Sequence, residues 1–481
     1  MITDTKNIIR GFLPKNLFVR GLGVLVFGTA SAQILLVLAA PILTRLYTPA
    51  DFGLLAAYTS LLALIGVISS LRYELAIPLP EDDVEAANIA ILSLLLVSIS
   101  TTLTAILVLM LSKSIAELLG VPVLANYLWL LPVGVLLSGT YTVFNYWSVR
   151  NKQFSGIAGS RFTQAIAALA IQLTAFKLGG ICLLLGQVAG QSAGTTSLAR
   201  PALSTRVFRQ VSWGGVKRVA VRYQRFPIFS TWEGFSNTAG AQLPPILFAA
   251  LFNPAVAGLY ALANRVMSLP ISLVGGAIDQ VFFSKAAEAH RVGKLGPLFE
   301  QLHSKLAHIS FAPMLLLMLL GPDLFILLFG EDWRQAGEFA SWMGPWLYLT
   351  FVSSPLSTLI AVTEQIKKGF FFQLVLLLSR LGAISFGAWL GDPTLTIILF
   401  SGVNSLCYIG FLFLLAQIAG SSLLKIIQPT LNAGGIAIGC ALPVLVALSG
   451  PKFFSDLKIH MLAFSMLLVA FNYWRLFKEE W

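Results

Sequence analysis

The sequence predicts an all-α polytopic membrane protein of about fourteen transmembrane helices, organised as two six-helix lobes plus a C-terminal helix pair. Three observations lead there. Hydrophobic residues make up 57% of the chain and charged residues 11%, against roughly 45–50% and about 25% in soluble domains. Apolar runs of about 20 residues, the length a helix needs to cross a bilayer, recur from end to end. An eleven-residue stretch near the start returns 205 residues later, which points to a duplicated lobe.

The repeated stretch is LYTPADFGLLA, Leu46 to Ala56, and LFNPAVAGLYA, Leu251 to Ala261, identical at six of eleven positions. In each copy an apolar run ends and a capping residue follows, Thr48 or Asn253. Proline takes the first helical position, Pro49 or Pro254, and a new apolar run opens at Gly53 or Gly258. The cap supplies an acceptor for free helical N–H groups, and proline has no N–H to leave unpaired there. Asp51, three residues after Thr48, completes a capping box and puts negative charge in the first turn.

Taken in order, the spans fall near residues 20–43, 53–78, 86–111, 124–147, 155–176, 178–199, 228–251, 255–280, 307–328, 339–361, 369–390, 394–418, 430–449 and 459–477. The third holds a run free of charge from Ala86 to Ser112. The two copies of the repeat then stand between spans 1 and 2 and between spans 7 and 8. This gives an N-terminal lobe over 1–199, a basic linker over 200–227, a second lobe over 228–419 and an extra helix pair over 420–481. Six is even, so the lobes point the same way through the membrane as a parallel repeat. Ser284 to Leu306 mixes charges and reads as a surface helix broken at Gly296 and Pro297.

The net charge of +11 is read as topology rather than as a nucleic-acid face. With the N-terminus inside, 22 Lys and Arg fall on cytoplasmic segments and 6 outside, and the remaining four of 32 lie within spans. That bias puts both termini in the cytoplasm. Arg200 to Arg225 holds seven basic and no acidic residues, as suits a linker lying on anionic membrane lipids, with direct partner contact as the alternative. Met1 to Arg20 shows no cleavable signal pattern and is expected to be retained. Cys182, Cys407 and Cys440 lie singly in apolar segments, and the four histidines form no HxxxH pair, so no metal or other cofactor is expected.

No Walker-type GxxxxGK, GxSxG or HExxH motif occurs, which leaves an ATP-driven pump or a hydrolase unsupported and the chain read as a non-enzyme. What remains is a small set of ionisable residues at membrane depth, each costly unless it meets a partner or water. They are Arg72, Glu74, Arg161, Glu233, Arg265, Asp279 and Arg380. At 1.5 Å of rise per residue, Arg265 lies about 10 Å below the outer surface and Arg380 about 16 Å from the inner one, too deep for easy snorkelling. Arg161 and Glu233 are each about 10 Å in, and Glu233 stands one turn before Asn237. Adding the repeat offset of 205 to Glu74 lands on Asp279. The two acids, with Arg72, read either as an inner gate closed by ion pairing or as static packing pairs. Pro244 and Pro245 interrupt span 7, with Pro41 and Pro270 placed similarly in spans 1 and 8, as cavity-lining breaks or as static kinks. Gln33, Asn237 and Gln242 either line the same cavity or hydrogen-bond between helices.

The motifs TRLYTPADFG (Thr44 to Gly53), RYELAIPLP (Arg72 to Pro80), FNYWSVRNKQF (Phe144 to Phe154), RFPIFSTWEGFSN and PAVAGLYALANRVMSLP together resemble Wzx-type polysaccharide exporters, the lipid-linked oligosaccharide flippases. That family is similar to the wider multidrug, oligosaccharidyl-lipid and polysaccharide flippase superfamily. The resemblance spans twelve helices and implies two six-helix lobes in a V around a central cavity, working by alternating access. It implies polyprenyl-pyrophosphate-linked oligosaccharide as cargo, moved from the cytoplasmic to the periplasmic leaflet of a bacterial inner membrane for O-antigen, capsule or exopolysaccharide. Membrane lipids and a polysaccharide polymerase complex are the partner classes to expect beside the cargo.

Guanidinium suits a pyrophosphate, so Arg265 and Arg380, with Arg161 behind them, are the candidate cargo contacts, and Glu233 is a candidate coupling residue or a neutraliser of an arginine. A cation-coupled multidrug or metabolite exporter of the same superfamily is the alternative, with Glu233 and Asp279 as its coupling site. A membrane polymerase would want a substantial outer loop, and the longest, around Gly330 to Phe339, is short.

Overall fold

The computed structural model of the chain describes residues 17–271, 276–449 and 458–480. Among these residues each predicted span is met by helix, and eight helices are long and apolar enough to cross a membrane. In chain order the first eight are α1 Leu17–Leu46, α2 Pro49–Ile68, α3 Asp83–Leu118, α4 Leu130–Arg150, α5 Phe154–Thr174, α6 Ile181–Leu203, α7 Trp213–Arg222 and α8 Thr231–Leu251. Then follow α9 Pro254–Met267, α10 Gly276–Arg291, α11 Leu295–Phe329, α12 Arg334–Leu356, α13 Ile366–Trp389, α14 Pro393–Ala419, α15 Leu424–Ser449 and α16 Lys458–Glu480.

Both predicted helix starts are built as the repeat requires. Thr48 and Asp51 form the reciprocal capping box at the head of α2, and the Val256 N–H donates to Asn253 Oδ1 at 3.0 Å at the head of α9. The two starts also lie against each other. A β-carbon on Gly53 would collide with the Pro254 carbonyl, and one on Gly258 with the Pro49 carbonyl, so each glycine admits the backbone of the other copy.

Several boundaries differ from the pattern. Span 2 stops at Ile68, after which Leu71 and Arg72 take left-handed φ values of 49° and 63° and Tyr73–Ala76 forms a 3-10 turn. Arg72 and Glu74 therefore sit in a turn past the helix rather than on it. Span 7 is not broken: Pro244 and Pro245 are buried within a continuous α8, and the irregularity is a π-helical turn at Phe226–Ser230 ahead of it. Span 8 is helical to Met267, is interrupted by a turn at Ser268 and is helical again at Leu269 and Pro270, and α10 follows. The surface helix breaks at Gly293, with φ +69°, rather than at Gly296 and Pro297, which lie in the first turn of α11. There proline removes an N–H that has no helical acceptor anyway.

The chain packs as two units that divide within α9, between Gly258 and Leu259. In the first, α5 pairs with α6, α1 with α5, α4 with α6, α3 with α4 and α2 with α8. The α5–α6 pairing rests on Gly186, Gly190 and Gly194, four residues apart on α6, which bring its backbone against Gln164, Ala168 and Gln172. The basic linker is largely helical: α6 runs to Leu203, and α7 docks on the start of α3. Arg222 binds Glu85 at 2.8 Å, the Ser212 N–H donates to Asn88 Oδ1 at 3.3 Å, and Tyr73 Oη donates to the Ala220 carbonyl at 2.8 Å.

In the second unit, α11 pairs with α12 and α15, α13 with α14, and α12 with α14. The C-terminal pair is anchored on α11 by an apolar core of Ala312, Leu316, Leu320, Ala437, Cys440, Ala441, Val444 and Val469. Buried His303 adds polar links from α11 to α15, 3.2 Å from the Ile426 carbonyl and 3.1 Å from Thr430 Oγ1.

Candidate functional site

In the first unit the polar residues of span 7 separate by role. Glu233 and Asn237 are exposed on α8, one turn apart. Gln242 is half-buried and accepts from Ser60 Oγ of α2 at 3.0 Å, so it joins helices rather than facing open space. Gln33 is half-buried on α1. Arg161 is half-buried on α5, and its Nε has no hydrogen-bond partner among the described residues. Its guanidinium is therefore only partly compensated within the protein.

Arg72 and Glu74 come together as the sequence suggests, with Arg72 Nη1 3.9 Å from Glu74 Oε1. Glu74 is 2% exposed and accepts from Ser70 Oγ. Gly234 of α8 lies over the arginine, where a β-carbon would stand 3.1 Å from Nε. Asp279 lies on α10, and its side chain is outside the described residues.

Burial pushes the Glu74 carboxyl above its ordinary value of 4.5, outweighing the bond from Ser70 and the charge of Arg72. The folded chain then holds this proton more tightly than the unfolded one. Stability from this group is present at low pH and lost as pH rises above the ordinary carboxylate range. Glu74→Gln copies the protonated form and is expected to flatten that slope, read as unfolding temperature across about pH 5 to 8. An unchanged slope would remove Glu74 as its source.

Sequence reasoning took Arg150 as one more cytoplasmic charge, and it is the most connected arginine in this unit. From the end of α4 it donates to the carbonyls of Ile77, Pro80 and Glu81 and to Asp83 at 2.8 Å. The motif containing Arg150 thus ties down Ile77 to Asp83, the stretch that follows the turn carrying Arg72 and Glu74.

In the second unit Arg265 and Arg380 stand in contrasting surroundings. Arg265 of α9 is exposed, with no hydrogen-bond or ion-pair partner among the described residues. At the depth the sequence assigns it, such a charge is costly unless it meets water or a partner. Arg380 of α13 is held: Nε donates to Asn404 Oδ1 at 2.7 Å, and the guanidinium lies over the Trp346 ring, 5.6 Å from its centre. Asn404 is fully buried and donates in turn to the Phe400 carbonyl at 2.6 Å. Neither partner of Arg380 was visible in the sequence, because they lie on α14 and α12.

Among known proteins, a family model described as "polysaccharide biosynthesis protein" matches residues 42–338. The chain belongs to the polysaccharide biosynthesis protein family. The succinoglycan biosynthesis transport protein ExoT of Rhizobium meliloti (strain 1021) is 24% identical over 391 residues, 80% of this chain and 77% of that protein. The fold is similar to that of lipid II flippase MurJ, whose structure is an inward closed conformation, with a TM-score of 0.75 at 12% identity, covering 95% of this chain and 99% of that one. An inward-facing multidrug resistance MATE transporter of the MOP superfamily gives 0.64 at 15% identity over 84% and 95% of the two chains. The resemblance to Wzx-type flippases therefore holds at the level of family and fold. This member of the polysaccharide biosynthesis family is a multi-pass membrane protein. Its family region contains the Arg150 clamp, both helix starts and Arg265, while Arg380 lies beyond it.

Proposed function

We propose that this protein flips polyprenyl-pyrophosphate-linked oligosaccharide repeat units from the cytoplasmic to the periplasmic leaflet of a bacterial inner membrane, by alternating access, with both termini cytoplasmic. Family membership supplies the pathway, and Arg265 is the observation that carries the cargo chemistry. An arginine at membrane depth costs about 2.5–3.5 kcal/mol on insertion scales, and this one is not offset by a carboxylate among the described residues. A pyrophosphate presented to it would accept a bidentate, charge-assisted pair of hydrogen bonds. Arg161, with an unpartnered Nε, is the second candidate, and Arg380 a third, held in place by Asn404 and Trp346.

The test is complementation of a deletion strain, scored by surface polysaccharide and by polyprenyl-linked repeat units accumulated on the cytoplasmic face. Loss of surface glycan with trapped intermediates is expected on deletion. Arg265→Ala is expected to lower glycan export about 10–100-fold, the equivalent of one charged hydrogen-bonded contact, with Arg265→Lys in between. Exposed Glu233 keeps one alternative in view, a cation-coupled exporter. Normal glycan with altered drug or cation sensitivity would favour that reading.

A further inference from the structure

A groove of about 580 Å³ runs between α13 and α14, lined by Lys367, Lys368, Phe371, Val375, Leu406 and Gly410 among others. That volume falls within the roughly 300–1,000 Å³ typical of ligand clefts. Its floor is the stacked pair Phe372 and Phe411, with ring centres 3.9 Å apart and planes at 10°. Its walls are apolar and open outward, with Phe371 67% and Leu406 71% exposed. The two lysines stand at one end, on the first turn of α13, and both are exposed. Neither ammonium has an ion-pair partner among the described residues. That helix start has no side-chain cap, so its free N–H groups and positive dipole end add to the charge of the lysines. Val375 lies about 13 Å along the helix from Ile366, so the apolar part runs from the headgroup level into the hydrocarbon.

We propose that this groove is a binding site for an anionic diacyl phospholipid. The phosphate is held between Lys367 and Lys368 at the mouth, and an acyl chain lies over Phe372 and Phe411. Basic ends on apolar interhelical pockets fit anionic headgroups in this way. The site is distinct from Arg265 and takes a resident lipid rather than the transported one.

Native mass spectrometry of the full chain in detergent, titrated with phosphatidylglycerol or phosphatidylcholine, tests it. Wild type is expected to prefer phosphatidylglycerol. Lys367→Gln with Lys368→Gln is expected to cut that preference about 30-fold, each lysine being worth about five-fold. Gly410→Phe is the second variant, because a β-carbon there meets nothing within 4 Å. Its ring is placed on the groove wall that Gly410 lines, and bound phosphatidylglycerol is expected to be lost although both lysines remain. Undiminished preference in the double variant, or wild-type binding in Gly410→Phe, would overturn the site. Displacement of phosphatidylglycerol by an equimolar polyprenyl phosphate would overturn it too, by giving the groove to the cargo.

Discussion

Gly53→Ala is expected to cost about 3 kcal/mol and to remove most folded, transport-competent protein, although it adds a single methyl group. The reason is what the methyl would meet. The nearest atoms are the carbonyl oxygen, carbonyl carbon and α-carbon of Pro254, all backbone, none able to rotate aside. The same holds in reverse at Gly258 against Pro49 and the Gly53 nitrogen. Relief requires α2 and α9 to separate at their starts, which takes the caps at Thr48 and Asn253 with them. Gly258→Ala should therefore match Gly53→Ala in size. The double variant should cost less than the sum, because one displacement relieves both collisions. Gly435→Ala is the control. It sits in α15 with nothing within 4 Å of its β-position, so the better helix propensity of alanine should leave it neutral or stabilised by up to about 1 kcal/mol. Fluorescence-detected size-exclusion after graded heating, read beside surface glycan, measures all four. Equal behaviour of Gly53→Ala and Gly435→Ala would show that the close approach is not needed.

What the sequence made legible follows how local each signal is. The helix starts at Thr48 and Asn253 were readable because cap, proline and first turn are consecutive residues, and their chemistry is complete within four positions. Arg265 was readable because span depth alone isolates it. The contact between the two starts was not, since nothing in either copy of the repeat says that its glycine faces the other. Pro244 and Pro245 misled in the opposite direction. Proline frees an acceptor one turn back, but continuous helical geometry survives when neighbours pack tightly, and both rings are buried in α8. Gln242 had two open readings, cavity wall or helix bridge, and only the partner Ser60, 182 positions away, decides for the bridge. Arg380 was found by depth, while the Asn404 and Trp346 contacts that make it rigid came only with the packing of α12, α13 and α14.

Arg150→Ala is the second large effect expected, about 2–3 kcal/mol of stability, with loss of transport following from loss of the fold near Ile77 to Asp83. A count of charges by membrane side treats Arg150 as replaceable by any cation. Its geometry contradicts that. The Arg150 side chain is only 10% exposed and serves three backbone carbonyls between Ile77 and Glu81 as well as Asp83, which a planar guanidinium with five N–H donors can do at once. Alanine leaves those carbonyls to find water at the end of a left-handed turn that already holds Leu71 and Arg72 at positive φ. Lysine keeps the charge but offers a single nitrogen, so Arg150→Lys should recover less than half of the loss. Topology alone predicts the contrary, full recovery by lysine, because the positive-inside bias counts the two residues equally. Thermal unfolding of the three proteins separates the readings. A lysine variant as stable as wild type would return Arg150 to the role of a topological charge, and a lysine variant near alanine would establish it as the clamp that holds Ile77 to Asp83 against α4.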